Sequence, residues 1–278
     1  MSSWFIVFSM VVAKRREHGP RRNAGFLPFL NKDADARCII MKILAMEKKD
    51  ASFWKAVAKR GAQVLFTLVL MMALFFFFAG RLDLPLAWLY FGLYFVSLVI
   101  NLVIFLKYNP EVIEARSEII KGEMKWWDKI YVVLYMLSGL AIPIVCGIDV
   151  RYQASALGIE YYLAGVLLFI VGWSFTSWAL VENKFFEGTV RIQKERGHTV
   201  VSTGPYAIVR HPGYAGMIVF YASMPLGLGS LYGLVPALLL AGAFVFRTHF
   251  EDEMLQRELK GYKEYAKKTR YRLIPFVW

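Results

Sequence analysis

"RHPGYAGMIVFYASMPLGLGSLYGLVPALLLAGAFVFRTHFEDE", residues 210–253, decides how this chain is built. From Ala215 to Phe246 it carries no charged side chain. One helix over that run would be roughly 48 Å long at about 1.5 Å per residue. A bilayer's hydrocarbon core is only about 30 Å thick. The middle of the run, "MPLGLGSLYGLVP" (224–236), is dense in the two residues that interrupt helices. Two short helices joined near Gly229–Ser230 therefore fit better than one long one. Such a hairpin returns the chain to the side it entered from, so "RHPGY" and "RTHFEDE" become neighbours.

Working outward, four more runs are nearly free of charge: Val64–Ala79, Leu84–Leu106, Ile130–Gly147 and Tyr161–Leu180. Hydrophobic residues make up 58% of the 278 positions, above the roughly 45–50% of soluble domains. The reading is an all-α polytopic membrane protein with about six membrane segments, the last two a short helical hairpin. The net charge is +12, and its placement argues against nucleic acid as the partner. Lys and Arg gather before the first run, in 107–129, in 184–210 and in 247–272. The turns 80–85 and 147–160 hold one arginine each. By the positive-inside rule both termini and the loops 107–129 and 181–213 are expected in the cytoplasm, beside anionic lipid headgroups. The first of these loops is expected to hold an amphipathic helix starting at Asn109–Pro110, with Trp126 and Trp127 in the interfacial aromatic belt. Cys38 and Cys146 make neither a disulfide framework nor a metal pattern, and no metal site is expected.

Phosphate-loop and dinucleotide signatures (GxxxxGKS/T, GxGxxG after a strand) are absent from the sequence, and "GLGSLYG" (227–233) falls in the hairpin turn. Chemistry-bearing residues concentrate instead in the cytoplasmic segments, with His198, His211 and His249 among them. Singly, each has a structural explanation. Arg210 can snorkel to phosphates, and Pro212 and Gly213 can simply start a helix. Arg247 and Glu251, at i and i+4, can be an exposed ion pair contributing about 0.3–0.5 kcal/mol. Held together at the mouth of a hairpin, they form a pocket open to water on one side and lipid on the other.

"HTVVSTGPYAIVRHPGYAG" (198–216) with "RTHFEDEMLQRELKGYKEY" (247–265) resembles the isoprenylcysteine carboxyl methyltransferases and related phospholipid N-methyltransferases. The shared pattern is GPY-x3-RHP-x-Y-x-G, a hairpin, then R-x3-E-D/E-x2-L-x5-GY-x2-Y. The resemblance implies an S-adenosylmethionine (SAM)-dependent methyltransferase acting on a membrane lipid or lipidated acceptor. It implies a cofactor pocket on the cytoplasmic side, formed by Gln193, His198, Thr199, Val200, Val201, Tyr206, His211, Pro212, Gly213, Tyr214 and Glu251. In it Glu251 would pair with the cofactor's amino group, and His211 with backbone N–H groups near Gly213–Tyr214 would take its carboxylate. Tyr206 and Tyr214 would offer ring faces. Arg247 matches the family's substrate-contacting arginine, and His211 or His198 would serve an acceptor that must lose a proton. The chain then divides into a basic, flexible extension (1–60), four transmembrane helices (61–180) and the catalytic region (181–278).

The sequence departs from the pattern in carrying Glu251-Asp252 where relatives commonly carry two glutamates. A rival lies in the tail, since "GYKEYAKKTRYRLIPFVW" (261–278) is similar to NADPH-dependent sterol reductases. Their cofactor has a 2′-phosphate and asks for more arginines in the pocket. A non-catalytic transporter should show ionisable groups within its spans, and the five runs carry none.

Overall fold

The computed structural model describes residues 51–117, 124–155 and 157–278. Cys38 and nearly all of the expected N-terminal extension lie outside the described residues, but 51–60 are helical and continue into the first span. Eight α-helices follow in order among the described residues: α1 (Ala51–Ala79), α2 (Pro85–Tyr108), α3 (Glu111–Ser117), α4 (Trp126–Tyr152), α5 (Ile159–Glu182), α6 (Pro212–Gly227), α7 (Leu234–Glu258) and α8 (Tyr262–Lys268). Local chemistry sets several ends. Pro85 and Pro212 stand in first turns, where a missing N–H breaks no helical bond. Gly229, at φ +77°, provides the left-handed step of the hairpin turn.

α1, α2, α4, α5 and α7 are long and apolar enough to cross a membrane. The fifth expected segment, α6, the first limb of the hairpin, has 16 residues. That is about 24 Å of helix, short of the roughly 30 Å core. The expectation of six segments thus resolves into five candidate spans and one shorter helix. The hairpin is also unequal, because α7 runs on from its apolar half through Arg247 to Glu258. The charge-free run ends at Phe246, but the helix does not.

Glycines bring the short helix close to its neighbours. A Cβ on Gly172 of α5 would stand 2.4 Å from the Phe220 nitrogen, and one on Gly165 would stand 2.5 Å from the Gly227 nitrogen. From the other side, a Cβ on Gly216 would be 2.7 Å from the Thr176 nitrogen. α5 and α6 therefore touch backbone to backbone, the small-residue packing that suits helices in lipid. At the turn end of the bundle Asp149 accepts from the hydroxyls of Ser155 and Ser230, both at 2.5 Å, which ties the hairpin turn to α4. The core between the helices includes Phe75, Tyr90, Ile142, Phe169, Leu240 and Phe244, and Cys146 is a buried free thiol within it. Phe66, Phe77, Leu163 and Leu238 face outward along the spans.

At the loop end α3 begins just after Asn109–Pro110, where the sequence placed it. Trp126 is exposed as an interfacial residue would be, but Trp127 is buried and stacks on Phe250 of α7 at 5.9 Å. It serves packing instead of the aromatic belt.

Two outcomes follow. A cysteine replacing Tyr152, 73% exposed at the turn end, is expected to react with an impermeant thiol reagent on intact cells. One replacing exposed Arg257 should react only after permeabilisation; the reverse pattern would invert the topology. Gly172→Ala is expected to lower stability by about 1–3 kcal/mol through overpacking, read as thermal unfolding in detergent. Gly92→Ala, where nothing lies within 4 Å of the new Cβ, should leave it unchanged or raised.

Candidate active site

Three stretches meet at the loop end: the segment 183–211, the start of α6, and α7 from Arg247 onward. The first is irregular, and side chains hold it in place. Gln193, 1% exposed, donates from Nε2 to the Phe185 carbonyl at 2.7 Å. Its backbone N–H donates to His198 Nδ1 at 3.3 Å. The His198 ring stacks on Phe185 at 4.4 Å. Burial pushes the His198 imidazole below its ordinary pKa, against the weaker opposite pull of Glu251, so it is neutral at pH 7. Asn183 Nδ2 donates to the Tyr206 hydroxyl at 3.0 Å.

A pocket opens between these elements. Gln193, His198, Thr199, Val200 and Val201 line one part of it, and Tyr206, His211, Tyr214, Arg247 and Glu251 line another. Pro212 and Gly213 do not reach it. They are buried behind the wall, where a Cβ on Gly213 would stand 2.6 Å from the ring of Phe186, which is a lining residue. The pocket has a volume of about 80 Å³, room for several water molecules.

The two adjacent carboxylates do different things. Asp252 is fully buried and collects donors from four directions. Arg210 binds it bidentately at 2.7 and 2.9 Å, Tyr262 Oη donates at 3.0 Å, Arg272 Nε at 3.0 Å and Gln256 Nε2 at 2.8 Å. His211 Nε2 faces the same carboxylate at 3.3 Å. The backbone reinforces this, since the N–H groups of Arg210 and His211 each donate at 2.9 Å to the carbonyls of Tyr271 and Arg272. Arg210 is therefore no snorkelling side chain; it clamps the tail onto α7. The ring of His211 lies parallel to Tyr214 with its Nε2 taken up by Asp252.

Glu251, one residue earlier, keeps 17% of its side chain exposed. It accepts the Tyr214 hydroxyl on Oε2 at 2.7 Å, and among the described residues Oε1 accepts no hydrogen bond. Arg247 Nε stands 3.7 Å from it. Arg247 itself is buried at 4% exposure, donates to the Gly188 carbonyl at 2.8 Å and approaches Asp128 at 3.5 Å. Its guanidinium lies 4.3 Å from the Tyr131 ring and 5.4 Å from that of Tyr214. The exposed ion pair considered from spacing alone is not what forms, because one partner is buried in an aromatic box. Its Nε makes no hydrogen bond among the described residues, and neither does Asp128 Oδ1.

Asp128 and Asp252 were not singled out as site residues. Asp252 had a signal, as the second carboxylate of the E-D/E pair. Asp128 had none, since it reaches Arg247 only because α4 packs on α7. Tyr262, the tyrosine of the GY pair in the shared pattern, also lines the pocket, as does Glu187, which carries no motif signal.

Comparisons with known proteins bear on this region. Residues 161–261 match the family model described as phospholipid methyltransferase. A mouse Delta(14)-sterol reductase is 27% identical over 139 residues, which is 46% of this chain and 33% of that protein. Two rice proteins, each described as a probable protein-S-isoprenylcysteine O-methyltransferase, are 28% identical over 124 residues, 42% of this chain and 64% of theirs. The matched stretches thus span a third to just under two thirds of these relatives. In solved structures, the eukaryotic intramembrane Ras methyltransferase, isoprenylcysteine carboxyl methyltransferase, superposes with a TM-score of 0.56 at 18% identity, covering 98% of this chain and 93% of that one. That likeness establishes the fold.

Removing the charge of Asp252 strands buried Arg210 beside Arg272. Asp252→Asn is expected to cost about 3–5 kcal/mol of stability, the range for breaking a buried pair. Glu251→Gln should cost less than about 1 kcal/mol. Thermal unfolding of the two variants in one detergent measures the difference, and equal losses would mean that both carboxylates are structural.

Proposed function

We propose that this chain, whose residues 161–261 match the phospholipid methyltransferase model, is an integral-membrane SAM-dependent methyltransferase acting on a lipid-like or prenylated acceptor, with its pocket facing the cytoplasm. The observation that carries this reading is the partly exposed Glu251 carboxylate in the pocket, with one oxygen fixed by Tyr214 and the other unengaged among the described residues. A carboxylate so placed suits an ammonium group. The pocket's mixture fits the rest of the cofactor: the rings of Tyr206 and Tyr214 for flat or cationic parts, and Val200 and Val201 for an apolar face. SAM supplies an activated methyl group when bound.

The chain's own contribution is position and dryness. Arg247, held by Gly188 and boxed between Tyr131 and Tyr214, presents a fixed positive charge one helical turn from Glu251. It would hold an anionic acceptor group beside the methyl donor. A carboxylate acceptor needs no base. For an amine acceptor His211 is the better placed of the two histidines to take a proton, since its Nε2 faces Asp252 and leaves Nδ1 as the lone pair, whereas the Nδ1 of His198 already accepts the Gln193 N–H.

A reductase reading rests on the mouse sterol reductase match. A cofactor 2′-phosphate asks for several arginines. Arg191 is bound by Glu187 and Glu195 at 2.9 and 2.6 Å, and Arg210 by Asp252. Of the arginines lining the pocket that leaves Arg247, whose Nε makes no hydrogen bond among the described residues. One arginine suits a single acceptor anion better than a cofactor phosphate, which favours SAM.

Calorimetry on the detergent-purified chain tests the choice. SAM is expected to bind and NADPH not. Glu251→Gln should lose about 1.5–3 kcal/mol of SAM affinity, the value of a charge-assisted hydrogen bond at a site partly open to water. Arg247→Ala should keep SAM affinity and lose methyl transfer to lipid extract. Binding of NADPH instead of SAM would overturn the assignment.

A further inference from the structure

Two arginines beside the pocket have no part in methyl transfer as described. Arg60 on α1 and Arg116 on α3 are both half-buried. Arg60 Nη1 donates to Gln63 Oε1 at 3.3 Å, and Gln63 Nε2 donates to the Ser117 carbonyl at 3.1 Å, which ties α1 to the end of α3. The Arg116 guanidinium lies 5.4 Å from the centroid of Phe186. Phe186 packs edge-on to Tyr214 at 5.8 Å, and Tyr214 borders Arg247. One aromatic layer therefore separates Arg116 from Arg247. Through Gln63 and the Ser117 carbonyl, Arg60 and Arg116 share the junction of α1 and α3.

These two charges differ from their neighbours in one respect. Arg191, Arg196, Arg210, Arg247 and Arg272 each stand within ion-pair distance of a carboxylate. Among the described residues neither Arg60 nor Arg116 does, and Glu111 of α3 is spent on Arg196. Like charges partly withdrawn from water repel one another and are stabilised by a shared anion. Burial makes the Arg116 guanidinium more acidic than usual.

Depth and surroundings indicate which anion. Arg60 stands just before the apolar run Val64–Ala79, and α3 lies in the loop beside it, the level of a bilayer's phosphates. Planar guanidinium groups suit phosphate oxygens.

We propose that Arg60 and Arg116, braced by Gln63, bind the phosphate of a bilayer phospholipid headgroup, at a site separate from the pocket and one aromatic layer from Arg247. Native mass spectrometry of the full chain in detergent tests this with three probes: dioleoylphosphatidylglycerol, dioleoylglycerol lacking the phosphate, and inorganic phosphate. The phospholipid is expected to be retained at least about tenfold more than dioleoylglycerol by the native chain. Arg60→Gln/Arg116→Gln should remove that preference. Inorganic phosphate at millimolar concentration should not displace the lipid. Equal retention of the two lipids by the native chain overturns the proposal whether or not the variant folds. So does a preference that survives in the double variant, or displacement by inorganic phosphate, which would make this a site for a free anion. No cofactor enters the measurement, so its outcome is independent of the methyltransferase reading, which SAM calorimetry tests by itself.

Discussion

A single carboxylate holds the loop end of this protein together. Asp252 gathers a guanidinium from just before α6, another from the tail, a phenol from α8 and an imidazole from the first turn of the hairpin. Segments distant in sequence thereby share one buried anion. Because Asp252 is fully buried, these donors have no water to replace it. The pocket wall formed by His211 and Tyr214 and the position of α8 both depend on it. A longer glutamate at this position would have to place its carboxylate one methylene further along, away from donors already set around Asp252.

Glu251 gains its availability from that arrangement. Adjacent residues on a helix point about 100° apart, so one carboxylate can be sunk into the latch while its neighbour stays at the pocket mouth. Arg247 lies one turn back on the Glu251 side, packed between rings that leave little of it in water. Neutral His198 on the opposite wall is fixed by a backbone N–H and a stacked phenylalanine. The result is a pocket in which charge is placed and most of it is already paired.

Much of this was legible in the residues. The length and Gly/Pro content of 215–246 required a hairpin, and a hairpin required the RHPGY and RTHFEDE segments to meet. The residues singled out from those segments and from 193–206 line one pocket, except exposed His249 and the pair Pro212 and Gly213, whose role is to let α6 start against Phe186. Other features could not be read because they depend on packing between helices. Nothing in "KWWDK" says that Asp128 faces Arg247 or that Trp127 is buried on Phe250. The return of charge at Arg247 looked like the end of a membrane segment, but helical hydrogen bonding continues through Glu258, so hydropathy alone underestimated α7. It likewise overestimated α6, whose apolar residues serve close contact with α5 as much as contact with lipid.

The continuity of α7 has a geometric consequence. Its apolar half is fixed in height by the bilayer, and Arg247 and Glu251 sit further along the same unbroken rod. Each residue of separation lifts a side chain by about 1.5 Å and turns it by roughly 100°. The helix therefore acts as a gauge that sets how far above the hydrocarbon boundary an acceptor's reactive end must protrude. A single insertion between Leu240 and Arg247 would swing both charged groups off the pocket and out of reach of Tyr131 and Tyr214. This segment can change in composition with little effect on the site, but not in length.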